Sequence, residues 1–299
     1  MSTHSTDHRK GLLLTFIGGL TLTADIPLIR LADGEAWSIL LARCAATFIA
    51  GVIFWSVWRW LSPKAPPLLP GGLGVLVAAL YGLGSITFIV AVYNTSTANL
   101  VFILAFTTMF SALLSWVFLK HRPANATLLA MAVMIIGVLI IVRDSIGSGN
   151  LFGDLVALGS AFIIASAITV SRHSGRNMGF TALIGVLFPL LVAAAMVAKT
   201  GYRIEAPWWI VLNGAIVWPI SFYCLATGPR FLSAPEVAMF YLLETVLAPV
   251  WVWLIFSEAP SRNSLIGGTI LIVALVAHSL WQLTHGRRRA AIRALQQPA

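Results

Sequence analysis

The chain alternates long apolar runs with short polar breaks. A helix needs about 20 mostly apolar residues to cross a hydrocarbon core. Ten runs meet that length: 11–30, 36–58, 71–93, 96–119, 124–142, 151–170, 179–198, 207–227, 233–256 and 264–283. Turn and breaker residues separate them, among them Ala32-Asp33-Gly34, Asn94-Thr95, Pro123, Gly147-Ser148-Gly149, Gly201, Gly228-Pro229 and Pro260. The pattern predicts an all-α membrane protein of ten transmembrane helices joined by short connections.

Composition strengthens this expectation. Hydrophobic residues make up 59% of the 299, charged residues only 10%, and the mean hydropathy is +0.92. A soluble domain carries about 25% charged residues, so the bilayer must solvate most of this surface. The polar N-terminus MSTHSTDHRK precedes a run ending in Asp25, Pro27 and Arg30. No small-residue cleavage site follows it, which predicts a retained first helix rather than a signal peptide.

Charge sets the direction. With both termini cytoplasmic, thirteen Lys and Arg fall on the cytoplasmic side: Arg9, Lys10, Arg59, Lys64, Lys120, Arg122, Arg172, Arg176, Arg230, Arg287, Arg288, Arg289 and Arg293. Five fall outside: Arg30, Arg143, Lys199, Arg203 and Arg262. The bias predicts cytoplasmic termini. The net charge of +9 is dispersed in short runs between spans. That dispersal argues against a nucleic-acid face, where cations would cluster. The tail 286–299 reads as a solvated basic end.

The chain also repeats at a displacement of 137 residues. Ala98 through Pro123 lies against Pro235 through Pro260; Trp116 falls on Trp253, and Tyr81-Gly82 on Trp218-Pro219. The division is 1–147 and 148–299, five spans each, the second unit including the basic tail. Five is odd, so the second unit enters from the opposite side, giving two inverted five-helix repeats. Inverted repeats serve alternating access, because exchanging the two halves' conformations turns an inward-open state outward.

Ionisable residues inside spans need an account, since each costs about 2.5–3.5 kcal/mol at mid-bilayer on insertion scales. Asp25 and Arg43 lie at matching depths on consecutive antiparallel helices, which predicts a mainly structural ion pair. Arg30 is expected to snorkel. Glu244, near the middle of span nine, is either a substrate-amine partner or a carboxylate bonded to neighbouring helices. Ser233-Ala234-Pro235-Glu236 has capping-box spacing. His278 reads as a packed side chain, and Cys44 and Cys224 as small core residues without metal-ligand spacing. No metal site and no cofactor is expected. A cavity for an apolar metabolite needs aromatic walls and a few polar groups. Tyr81, Ser85, Asn94, Asn99, Trp218, Tyr223 and Tyr241 supply these on spans three, four, eight and nine, with Glu244. Gly82, Gly84 and Pro219 are expected to let those helices bend.

The ordered set Tyr241-Leu242-Leu243-Glu244-Thr245, Ala248-Pro249, Trp253, Glu258, Gly267-Gly268 and Leu271 resembles the end of an EamA-type repeat. The same frame recurs from Ala98 to Gly137, departing at His121 and at Thr107, which stands where the second half has Glu244. Leu41-Ala42-Arg43 fits the family's Arg-containing helix. The chain thus resembles the drug/metabolite transporter superfamily, EamA-type with two repeats, and within it the amino-acid exporters. That resemblance implies the bacterial inner membrane and export of aromatic or neutral amino acids, or related metabolites, from the cytoplasm by secondary or facilitative transport. The expected partners are an amino-acid substrate and lipid, with the chain a monomer. A multidrug or cation exporter of the same superfamily is the alternative. An intramembrane enzyme is disfavoured, since HExxH and any nucleophile–base spacing are absent, and no GxxxxGK[ST] points to ATP. No ring-forming filter sequence points to a channel.

Overall fold

A computed structural model describes residues 3–62, 67–120, 124–174, 176, 178–227 and 234–295. Among these residues every regular element is helical, and extended backbone pairs only at an isolated bridge between Gly34 and Ile204. Eight helical segments are long and apolar enough to cross a membrane. The first joins α1 (Thr3–Leu22) to the short α2 (Asp25–Leu31). Then come α3 (Ala36–Leu61) and α4 (Gly72–Val92). The fourth joins α5 (Thr97–Leu104) to α6 (Phe106–Leu119). Next are α7 (Asn125–Ser148) and α8 (Leu151–Ser174). The seventh joins α9 (Thr181–Gly185) to α10 (Leu187–Thr200). The eighth runs through α11 (Pro207–Leu212), a π-helical turn (Asn213–Val217) and α12 (Trp218–Thr227). Two shorter apolar stretches, Leu243–Phe256 and Arg262–His278, lie in α13 (Ala234–Phe256) and α14 (Arg262–Leu295). The protein is a multi-pass, all-α membrane protein.

Three of the interruptions have one chemical cause. Proline has no N–H to offer the carbonyl four residues back, and its ring crowds that carbonyl. Pro27 releases Thr23, where α1 ends; Pro189 releases Gly185, where α9 ends; Pro219 releases Ala215, inside the π-helical turn. Gly82, by contrast, does not bend its helix, since α4 runs unbroken from Gly72 to Val92. A Cβ at Gly82 would stand 2.7 Å from the Gly185 carbonyl oxygen and 3.0 Å from Pro189 Cδ. Its smallness admits the carbonyl that Pro189 frees, as small residues do at membrane helix crossings. Gly137 and Gly267 meet in the same way between α7 and α14.

The main packing pairs are as follows. The α4 helix lies along α8, and α1 along α12; α6 packs on α8, and α13 on α1. The π-helical turn contacts α3, while α9 contacts α4. The α3–α10 and α7–α14 pairs complete the layer. The connections 32–35, 93–96, 149–150, 201–206 and 257–261 gather at one end, called here the Gly34 end. Backbone bonds knit it: Glu35 N–H to the Arg203 carbonyl at 3.0 Å and Glu205 N–H to the Asp33 carbonyl at 2.9 Å. The Tyr93 hydroxyl donates to the Gly34 carbonyl at 2.7 Å. Burial, with Asp33 close by, pushes this phenol up to about 12, so it remains a donor across the physiological range. Arg30 does not end free in the headgroup layer; it forms an ion pair with Glu258.

Candidate functional site

Arg43, the eighth residue of α3, lies buried in the bundle, 2% exposed. Its Nη2 donates to both Asp25 oxygens, at 3.1 and 2.9 Å. Asp25 opens α2, so the break at Thr23–Ala24 brings this carboxylate to the guanidinium. Asn213, in the π-helical turn, donates through Nδ2 to Asp25 Oδ1 at 2.6 Å and to the Asp25 carbonyl at 3.1 Å. The guanidinium also lies over two rings, 4.7 Å from the Trp218 centroid and 5.3 Å from Phe88. Desolvated contacts of this kind contribute up to about 2 kcal/mol each.

Around this pair several buried polar atoms make no hydrogen bond among the described residues. They are Arg43 Nη1, Thr47 Oγ1, Asn213 Oδ1, Trp218 Nε1 and Ser221 Oγ. All five belong to α3 and the eighth segment, which touch through Gly214 against the Arg43 carbonyl. Leaving a buried polar group unmet costs about 1–3 kcal/mol, more when it is charged. Glu244, partly exposed on α13, lies within electrostatic reach of Asp25 and Arg43 and makes no hydrogen bond to a described residue. The layer therefore holds two carboxylates, one guanidinium with a free edge, and a set of unmet neutral donors and acceptors.

Aromatic rings wall this layer. Trp218 stacks on Phe222 at 4.0 Å between centroids, and Tyr81 meets the same Phe222 edge-on at 6.1 Å. Tyr81 and Trp218 thus share one ring. Ser85, 5% exposed, lies beside Cys44, the neighbour of Arg43. The side chain of Tyr241 lies outside the described residues, as do His121 and Ser233.

The other candidates sit elsewhere. Asn94 donates to the Val90 carbonyl at 2.7 Å at the Gly34 end of α4. Asn99, capped at its N–H by Ser96 Oγ, accepts from the Ser264 hydroxyl and faces Asp154 at the same end. Tyr223 belongs to an aromatic group at the opposite end, with Phe54 at 5.4 Å and Trp58 at 5.7 Å. His278 meets the Thr127 hydroxyl at 2.8 Å between α14 and α7.

Asp154 was not singled out from the sequence, yet it is 1% exposed and accepts from the Thr95 hydroxyl at 2.5 Å. Its signal was an acid in the first turn of a helix, where the helix dipole favours negative charge. Cys44 and Cys224 are buried thiols.

Comparison with known proteins fits this architecture. Over 283 residues the chain is 23% identical to the pseudopaline exporter CntI of Pseudomonas aeruginosa, covering 91% of this chain and 96% of that one. It is 27% identical over 175 residues to the transporter YdfC of Bacillus subtilis, covering 55% and 56% of the two chains. One crystal structure superposes with a TM-score of 0.65 at 16% identity, covering 92% of this chain and 98% of the other, a likeness of fold. The EamA-like transporter family matches twice, at residues 9–143 and 151–280, so the chain belongs to that family.

Proposed function

We propose that the protein exports zwitterionic amino-acid-type metabolites with apolar or aromatic side chains, through a site centred on Arg43. The free Nη1 edge of Arg43 carries this reading. A carboxylate is the natural partner for a guanidinium edge held in low dielectric, and Trp218 Nε1 supplies a second donor to it. Glu244 would then face the substrate amine, and Tyr81, Trp218 and Phe222 the side chain. Ser85 and Tyr241 complete the wall, Tyr223 lines the approach at one end, and Asn94 and Asn99 belong to the other.

The transport cycle proposed is alternating access by two inverted five-helix repeats, 1–147 and 148–299, ten spans in all. The packing pairs support it. Advancing each span by five turns α4–α8 into α12–α1, and α6–α8 into α13–α1, while α3–α10 and α7–α14 map onto themselves. The same operation relates the contact of α3 with the π-helical turn to that of α10's partner segment α9 with α4. The Lys/Arg bias argues for cytoplasmic termini in a bacterial inner membrane, which puts the Gly34 end outside.

Counterflow in proteoliposomes tests the reading. Labelled phenylalanine or leucine should accumulate against an unlabelled interior, and folded Arg43→Lys should lower this accumulation about tenfold or more. Uptake of organic cations alone, with Glu244 essential and Arg43 dispensable, would favour a cation exporter instead.

A further inference from the structure

We infer that α2 is a movable gate at the Gly34 end, hinged at Thr23–Ala24, latched by Arg30–Glu258 and coupled to the central site through Asp25. Unlike the half-helices α5, α9 and α11, it carries charged residues near both ends, Asp25 and Arg30. It has only seven residues, and Pro27 leaves it without the backbone bond that would continue α1. Five of the seven residues are buried, with Ile26 at 1% and Ile29 at 0% exposure. It wedges between α11, the π-helical turn and α13. It therefore closes the space between the segments that bear Trp218 and Glu244.

Polar contacts hold the wedge at three places. At its tip, Arg30 pairs with Glu258 in the connection between α13 and α14. At its base, Asp25 is held by Arg43 and Asn213. Beside the hinge, Trp251 Nε1 donates to Thr23 Oγ1 at 3.2 Å, tying the interruption to α13. The Thr23 hydroxyl in turn donates to the Leu20 carbonyl at 2.7 Å.

The base contact is where substrate enters the argument, and this step rests on the reading of Arg43 given above. A substrate carboxylate on the free Nη1 edge shares the single positive charge of the guanidinium with Asp25, which Nη2 holds, and so weakens the Asp25 contact. A ligand shifts a conformational equilibrium only by its differential affinity for the two states. Occupancy of Arg43 supplies that difference, because it weakens the anchor of α2 only when the site is filled. Release of α2 would then break Arg30–Glu258 and open a path beside Ile29.

Ile29→Cys reports on this movement. The variant is placed in nanodiscs, where both faces are accessible, and reacted with a membrane-impermeant maleimide. Removing the latch by Glu258→Gln should raise the labelling rate about twofold to fivefold, the range of a partly exposed ion pair. Adding phenylalanine should raise it further, and Arg43→Lys, which keeps the charge beside Asp25 but lacks the second edge, should erase that second increase. Labelling that Glu258→Gln leaves unchanged would overturn the gate, with or without substrate. A response to Glu258→Gln without any response to phenylalanine would retain the latch but overturn the coupling. Whether phenylalanine is carried at all is read separately, from counterflow. Should Ile29→Cys fail to fold, an Arg30→Cys/Glu258→Cys disulfide decides. The gate requires oxidation to stop counterflow and reduction to restore it; unchanged counterflow in the cross-linked protein would exclude a moving α2. Wild type, whose Cys44 and Cys224 are buried, is the oxidation control.

Discussion

Two ion pairs leave the same short helix five residues apart, and they sit in different solvents. Asp25–Arg43 is almost wholly buried, with side chains 4% and 2% exposed. Arg30–Glu258 is 24% and 37% exposed. The inner pair lies in low dielectric, where attraction is strong but each charge has lost its water. It is also incomplete, since Arg43 keeps one unmet edge. The outer pair faces solvent, where such contacts contribute about 0–1 kcal/mol. The contrast assigns the two pairs different work. A strong, unsaturated pair suits a binding site, and a weak, exposed pair suits a latch that must open in every cycle.

The largest expected effect lies at the inner pair. Arg43→Gln strands Asp25 and should cost about 3–5 kcal/mol, read as loss of monodisperse protein and a lower Tm. Asp25→Asn combined with Arg43→Gln should recover part of that loss, whereas strictly additive losses would mean that the two charges are not coupled.

Next in size is the aromatic wall. Trp218→Ala removes the stack on Phe222 and the ring over Arg43, and Tyr81→Ala removes the edge contact with Phe222. Each should slow transport of phenylalanine about twofold to thirtyfold while affecting alanine less, since aromatic pairs and cation–π contacts contribute about 0.5–2 kcal/mol apiece. Equal slowing of both substrates would remove the rings from the specificity pocket.

These effects divide the molecule into what its sequence revealed and what it hid. Apolar run length located the helical segments, because hydrocarbon thickness fixes length whatever the packing. Depth matching set Asp25 beside Arg43, since two antiparallel helices joined by a short turn leave little freedom, and in the structure they stand 2.9 Å apart. The shared Phe222 of Tyr81 and Trp218 was invisible, because rotation of a helix about its axis does not follow from hydropathy. Gly82 is a point of close approach rather than the expected bend, whereas Pro27 and Pro189 break their helices by freeing carbonyls four residues upstream. Asn94 and Asn99 share span numbers with cavity candidates but lie at helix ends, where Asn94 caps the Val90 carbonyl and Asn99 bonds the Ser264 and Asp154 side chains. Asp154 was hidden because its partners, Thr95 in the 93–96 connection and Asn99 at the start of α5, lie 55 or more residues earlier.

A smaller effect is expected within that hidden group. Asn99→Ala leaves the Ser264 hydroxyl without its acceptor and removes a donor facing Asp154. It should cost about 1–3 kcal/mol of stability, measured as Tm, with substrate selectivity unchanged. A change in selectivity would move the site toward the Gly34 end.

The smallest effect belongs to the outer pair. Arg30→Gln should change stability by less than about 1 kcal/mol, yet shift the rate of transport. A stability loss as large as that of Arg43→Gln would erase the distinction between anchor and latch.

Counterflow of labelled phenylalanine into proteoliposomes, comparing wild type with Arg43→Lys at matched amounts of monodisperse protein, tests the central claim most directly. Lysine keeps the charge beside Asp25 but lacks the second edge that a guanidinium presents. A binding role for the Nη1 edge predicts a folded variant whose phenylalanine counterflow falls about tenfold or more, as expected when a charge-assisted hydrogen bond is lost. Wild-type counterflow from folded Arg43→Lys would show that the pair with Asp25 is structural alone and that substrate binds elsewhere.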